Sequence, residues 1–176
     1  MYIGGKEFAK MKRKALKKEF EDYIIRHKEA IYRLAYSYVR NSDDALDMVQ
    51  ESIYKAFTSL DSLKDFGAIK TWFYRIVVNT CLDFIRIRGR EIVAGQEYLI
   101  DNSPGASDSY SDIDLNRALG ELPDNYRGII VLRYFEDLQL NQIAQVLDIN
   151  INTVKTRLYR GLDLLRIEME MDGQEV

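Results

Sequence analysis

Apolar side chains recur at three- and four-residue steps through most of the chain, and no run of two-residue alternation competes with them. Phe20, Tyr23, Ile24, Ile31, Leu34, Ala35 and Tyr38 fall on one face, which predicts a first helix from about Ala15 to Val39. Asn41-Ser42-Asp43-Asp44 then offers an N-cap and first-turn carboxylates. Behind it, Ala45, Met48, Val49, Ile53, Ala56 and Phe57 predict a second helix over 42–58. A polar segment from Thr58 to Gly67 interrupts the rhythm. Ile69, Trp72, Phe73, Ile76, Val77, Thr80, Cys81, Phe84 and Ile85 restore it as a third helix.

Between residues 90 and 112 periodicity disappears, and Gly, Pro, Ser and acids accumulate in the manner of a flexible connector. Beyond it, Leu115, Ala118, Leu119 and Leu122 run up to a stop at Pro123. Further helices are expected near 124–135, 140–147 and 150–170. The expected fold is all-α: two small helical domains, 1–89 and 113–176, joined by a flexible acidic linker.

The last two of these helices have the character of a helix-turn-helix. Ile143, Ala144 and Leu147 share one side of the first, with a small residue where a crossing helix must come close. Asp148 tolerates a left-handed backbone in the turn, and Asn150 can cap the next helix through its side-chain oxygen. If Val154, Leu158, Leu162 and Leu165 face inward, Ile151, Asn152, Thr153, Lys155, Thr156, Arg157 and Arg160 are left largely outward. That mixture suits base edges and phosphates in a major groove. An isolated basic stripe of this kind is also what a solvated helix carries; the preceding helix and turn favour the recognition role.

Charge changes the picture only once it is divided along the chain. The net charge is −3, yet residues 1–89 carry 17 Lys/Arg against 12 Asp/Glu, whereas 90–114 carry one Arg against six acids. Across 150–166, Lys155, Arg157, Arg160 and Arg166 face only Asp163. Phosphate responds to local potential, so the acidic total does not exclude nucleic acid. One cysteine, Cys81, allows no internal disulfide, and one histidine, His27, supplies neither a metal cluster nor a nucleophile–base pair. No cofactor and no catalysis by the chain itself are expected. No apolar run is long enough for a membrane span or a signal core, so the expected location is the cytoplasm.

Two exposed faces are candidates for partners. On the second helix Asp47, Gln50, Glu51 and Tyr54 lie opposite the apolar stripe, which suits a protein partner or, equally by spacing alone, a solvated acidic face. Around the third helix, Ser62, Leu63, Lys64 and Phe66 in the loop join Lys70, Tyr74, Arg75 and Asn79 on the polar face. Cations beside aromatics and an amide suit unstacked single-stranded bases. Trp72, Phe73 and Phe84 read mostly as core.

Taken together, residues 43–52 (Asp43-Asp44-Ala45-Leu46-Asp47-Met48-Val49-Gln50-Glu51-Ser52) and 71–80 (Thr71-Trp72-Phe73-Tyr74-Arg75-Ile76-Val77-Val78-Asn79-Thr80) resemble regions 2.2 to 2.4 of extracytoplasmic-function sigma factors of RNA polymerase. Leu122-Pro123 and Thr153-Val154-Lys155-Thr156-Arg157-Leu158-Tyr159-Arg160 resemble their region 4. The resemblance runs in order from about residue 20 to 167, with a connector where the family has one. It implies binding to core RNA polymerase, with Asp47, Gln50, Glu51 and Tyr54 on the β′ clamp helices and region 4 near the β flap. It also implies capture of an unstacked minus-ten base by the 62–67 loop and Asn79, with Leu63, Lys64, Phe66, Lys70, Tyr74 and Arg75 around it. Asn152, Thr153, Lys155, Thr156, Arg157 and Arg160 would read the minus-thirty-five duplex. Within the family the sequence is most similar to the sigma-V-like group, tied to cell-envelope stress and to release from a membrane-bound anti-sigma protein. Gly is frequent in the family where this chain has Asp148 and Asn152, and acids are frequent near Asn141 and Gln142, departures that bear on base preference rather than class.

Two rivals use the same residues. A dimeric helix-turn-helix repressor or activator would bind duplex DNA without polymerase, but leaves the aromatic first domain without a task. A module that only holds other proteins leaves the outward Lys/Arg/Thr face unexplained. For the sigma reading, the 90–112 connector reaches at most about 75 Å when extended, comparable with some 20 base pairs at about 3.4 Å each. Contacts at two promoter elements would then reinforce one another, and the free protein would bind DNA poorly.

Overall fold

A computed structural model describes residues 5–93 and 110–172, and within them the chain forms helices joined by short turns. Helix α1 spans Gly5–Val39, α2 Ser42–Thr58, α3 Ile69–Val93, α4 Tyr110–Glu121, α5 Asp124–Ile130, α6 Leu140–Leu147 and α7 Ile151–Asp172. Two short 3-10 turns, Leu60–Ser62 and Phe66–Ala68, carry the chain from α2 to α3. Most of the segment expected as connector, residues 94–109, lies outside the described residues. Helix covers both of its ends, 90–93 and 110–112.

The first domain is a three-helix bundle around Phe20. Its ring meets Phe57 of α2 at 5.1 Å and Phe73 and Trp72 of α3 at 5.1 and 5.8 Å, all edge to face. Asn41 caps α2 by accepting from the Asp43 and Asp44 amides, each at 3.0 Å. Helix α1 begins well before the expected Ala15, because residues 6–15, all exposed, extend it ahead of the first buried side chain, Phe20.

In the second domain α5 does not end at Ile130 but widens into a π-type turn over Val131–Phe135, closed by the Glu136 amide on the Val131 carbonyl at 3.0 Å. Helix α6 follows, and Asp148 closes it in the left-handed region at φ 54°. The Asn150 side-chain oxygen accepts from the Asn152 amide at 2.8 Å, starting α7. Ile143, Val146, Val154 and Leu158 hold the two helices together.

The two domains are packed against one another and share a continuous apolar core. Tyr38 of α1 occupies the space that Gly128 of α5 leaves; a side chain there would overlap the phenol ring. Buried Arg127 donates to the Ser37 carbonyl of the first domain and to the Leu122 and Gly120 carbonyls at 2.8 and 3.2 Å, and it pairs with Asp124. Arg40 donates to the Gly120 carbonyl from the other side. The Gly120 and Leu122 carbonyls, in and just past the last turn of α4, are of the kind that a helix end leaves unpaired.

Candidate polymerase and nucleic-acid interface

The α2 face holds its four candidates in the open. Asp47, Gln50, Glu51 and Tyr54 are all exposed, Tyr54 at 66%, while Ala45, Met48, Ser52 and Ala56 turn into the bundle. Among the described residues, Glu51 pairs with Lys55 at 3.6 Å. The face therefore presents carboxylates, an amide and a large aromatic without a local counterpart that would explain the tyrosine's exposure.

The loop before α3 is ordered by its own polar groups. Asp65 accepts from the Gly67 amide at 3.0 Å, and the Ser62 hydroxyl accepts from the Trp72 indole at 3.1 Å. Ser62 and Lys64 are exposed and Phe66 is half-buried. Leu63 is a correction: it is buried, 8% exposed, and belongs to the core rather than to a binding surface. On α3, Asn79 and Arg75 are exposed and Lys70 is half-buried.

Tyr74, which helical spacing places on the polar face, is instead fully buried and donates its hydroxyl hydrogen to Glu136 of the second domain at 2.6 Å. Burial first, and then this bond, hold the phenol above its ordinary pKa. Glu136 is itself 3% exposed, and its other carboxylate oxygen accepts from Arg33 of α1 at 2.9 and 3.1 Å. Lys70 donates to the Glu136 backbone carbonyl, and Arg75 pairs with Asp148 at 3.3 Å. One residue at the end of the π-type turn and one in the helix-turn-helix thus occupy Lys70, Tyr74 and Arg75. Sequence periodicity missed Glu136 and Arg127, since it marks apolar faces and gives no signal for a buried charge.

On α7, Asn152, Lys155, Thr156 and Arg160 are exposed, with Tyr159 beside them. Thr153 and Arg157, expected outward with them, are half-buried at the margin of the stripe formed by Val154 and Leu158. The Thr156 hydroxyl donates back to the Asn152 carbonyl at 2.9 Å. This face keeps three cations, two hydroxyls and an amide along one side of a helix, the groups that donate to phosphate and base edges. The described residues hold no cluster of His, Cys, Asp and Glu suited to a metal ion, and no helix among them is long and apolar enough to cross a membrane. Cys81 is fully buried and its thiol is pushed up to about 12 by that burial.

Similarity to known proteins follows the same division. A model of sigma-70 region 2 matches residues 23–91, from the middle of α1 to near the end of α3, and a model of sigma-70 region 4 matches residues 112–165. RNA polymerase sigma factor SigV of Bacillus subtilis (strain 168) is 51% identical over 146 residues, 83% of this chain and 88% of that protein. ECF RNA polymerase sigma factor SigW of the same strain is 31% identical over 85% of this chain and 88% of its own length. Among solved structures, the sigma factor RpoE in complex with the anti-sigma factor NepR from Bartonella quintana matches with a TM-score of 0.77 at 25% identity. That match covers 88% of this chain and 99% of RpoE. A stand-alone repressor accounts for α6 and α7 but not for a region 2 bundle ahead of them. The chain belongs to the sigma-70 family of RNA polymerase sigma factors, in its extracytoplasmic-function group.

Proposed function

We propose that this protein binds core RNA polymerase and directs it to promoters, contributing recognition while the polymerase contributes the catalytic site. The observation that carries this is the presence in one chain of three separately exposed faces: the acidic face of α2, the loop and outer side of α3, and the outward side of α7. Asp47, Gln50, Glu51 and Tyr54 meet the β′ clamp helices. Ser62, Lys64, Phe66 and Asn79 hold an unstacked minus-ten base. Asn152, Thr153, Lys155, Thr156, Arg157 and Arg160 read the minus-thirty-five duplex, with region 4 held near the β flap.

In the packed arrangement Lys70 and Arg75 are taken by Glu136 and Asp148. The exposed Arg75–Asp148 pair yields readily, whereas Lys70 on the Glu136 carbonyl is released only when region 4 leaves α3, and polymerase binding supplies that separation. The likeness to RpoE as held by NepR supports an anti-sigma partner for this chain too. We place the protein in the cytoplasm, near the membrane when a membrane-bound anti-sigma protein holds it, and in a cell-envelope stress response.

Run-off transcription from a promoter library, with core polymerase alone and with this chain added, tests the reading. Promoter-specific transcripts are expected only with the chain. Their absence, together with unaided binding of a dimer to palindromic duplex, would favour the repressor. Asn79→Ala should relax discrimination at the melted base and Arg157→Ala at the duplex element, seen as different changes in the transcript profile.

A further inference from the structure

Helix α1 starts ahead of the region 2 match at residue 23, and within that leading stretch residues 6–18 carry seven cations and one acid, Glu7, followed by Glu19, Glu21 and Asp22. The cations are not scattered. Lys6, Lys10, Arg13 and Lys17 recur at steps of four, three and four, which at about 3.6 residues per turn sets them in one line along the helix. Over the eleven steps from Lys6 to Lys17 the line is about 16 Å long at about 1.5 Å per residue. Phe8 and Met11 fall on the opposite side.

Two contacts fix where the line points. Lys17 lies over the Phe57 ring at 5.6 Å, with Glu21 also beside it at 3.9 Å, and Arg13 pairs with Asp61 at 3.4 Å. Asp61 directly precedes Ser62, at the edge of the 62–67 loop assigned to the unstacked base. The face holding Arg13 and Lys17 is thus turned to that loop, and Lys6 and Lys10 continue it outward. Neither Lys6 nor Lys10 has an ion-pair partner among the described residues. Asp61 has Arg13 beside it and Asp65 accepts from the Gly67 amide, so each of the loop's carboxylates faces a donor. Both side chains of the Arg13–Asp61 pair are well exposed, which makes it weak and replaceable.

We infer that the Lys6–Lys10–Arg13–Lys17 line is a phosphate track that holds the backbone of the single promoter strand adjoining the captured minus-ten base. This rests on the sigma reading of the loop. The track reads no sequence; it lengthens the time an opened promoter is held, through release of counterions from the strand. The opposite side, with Phe8 and Met11, has nothing that recognises DNA, and an anionic membrane surface is the competing partner for a helix of this composition.

The test uses reconstituted holoenzyme on a promoter that the wild-type chain opens, and measures how the binding constant of the competitor-resistant complex depends on salt. Lys6→Gln, Lys10→Gln and Arg13→Gln are combined in one variant. A charge-matched control combines Lys12→Gln, Lys14→Gln and Lys18→Gln, which lie off the line. Loss of three phosphate contacts to a single strand should lower the log–log salt slope by about 2, with the control near wild type. Replacing single phosphates by neutral methylphosphonates should weaken the wild-type complex at a few linkages beside the minus-ten base and leave the line variant insensitive there. Equal slopes for all three proteins, or equal losses in both triple variants, would overturn the track. So would unchanged promoter binding by a line variant that no longer binds phosphatidylglycerol vesicles, which would assign the face to a membrane. A wild-type holoenzyme that opens no promoter is a separate result and removes the sigma reading along with the track.

Discussion

The Tyr74 hydroxyl donates to the Glu136 carboxylate at 2.6 Å across the boundary between the two domains, with both side chains buried. A hydrogen bond to a buried charge is among the stronger polar contacts a protein makes. This one joins the helix that carries the candidate minus-ten face to the turn that introduces the helix-turn-helix. Tyr74→Phe should lower stability by about 1.5–3 kcal/mol, the range for bonds to charged groups, in urea unfolding. Glu136→Gln should in addition free Arg33 and raise the separated population, read as a longer distance between fluorophores placed at exposed Leu46 and Tyr159. Unchanged distances in both variants would show that other contacts set the packing.

Arg127 makes a second join. Its guanidinium is buried, and its bonds run to carbonyls of α1, of the end of α4 and of Leu122, besides the Asp124 carboxylate. Arg127→Met leaves the Ser37, Gly120 and Leu122 carbonyls without their donor, while half-exposed Asp124 stays hydrated, and should cost about 1–3 kcal/mol. Thermal unfolding by circular dichroism checks it. A midpoint within a degree or two of wild type would mean that the guanidinium is dispensable.

Gly128→Ala tests the closeness of the two domains directly. A methyl there overlaps the phenol end of Tyr38, which is itself buried. Overpacking of this kind costs about 1–3 kcal/mol. Tyr38→Ala in the same chain should make the added methyl nearly harmless, a coupling measurable by a double-mutant cycle; additive effects would contradict the contact.

Alkaline pH should weaken the fold through its tyrosines. Tyr23, Tyr38 and Tyr74 are buried, and burial above all raises each phenol, Tyr23 to about 12. Because their folded pKa values lie above the unfolded value of about 10, their contribution is complete below that pH and is lost as pH rises through the folded values. Urea midpoints should hold level up to about pH 9 and fall beyond about pH 10. Phenolate absorbance should show three of the 12 tyrosines ionising only as the chain unfolds.

The helices themselves were legible where one face is apolar and the ends carry caps. The expected spans of 42–58 and 140–147 match α2 and α6, and Asn41, Asp148 and Asn150 do locally what their chemistry allows. Legibility failed where a helix buries two faces. Phe73 and Val77 of α3 face the first bundle while Tyr74 and Val78 beside them are buried as well, and a search for one stripe leaves a tyrosine on the wrong side. The hint was there in consecutive large residues at 73–74 and 77–78, too wide a band for a single contact. Glu136 and Arg127 gave no such hint, since a charged residue in a sequence reads as solvated until a fold encloses it. For the candidate site, the faces on α2 and α7 were readable because they are what remains after the apolar stripe is assigned. Leu63 was not, since a loop has no period by which to tell inward from outward.

The seam between Tyr38 and Gly128 has a consequence for how the molecule divides its time. A ring resting against bare backbone loses its attraction within about an ångström of withdrawal, so half-open forms have little to hold them. Molecules are then either seated or apart, in a ratio. An inhibitor that clasps the seated form, or a polymerase that accepts the other, acts by moving numbers from one population to the other instead of by stiffening or loosening a hinge.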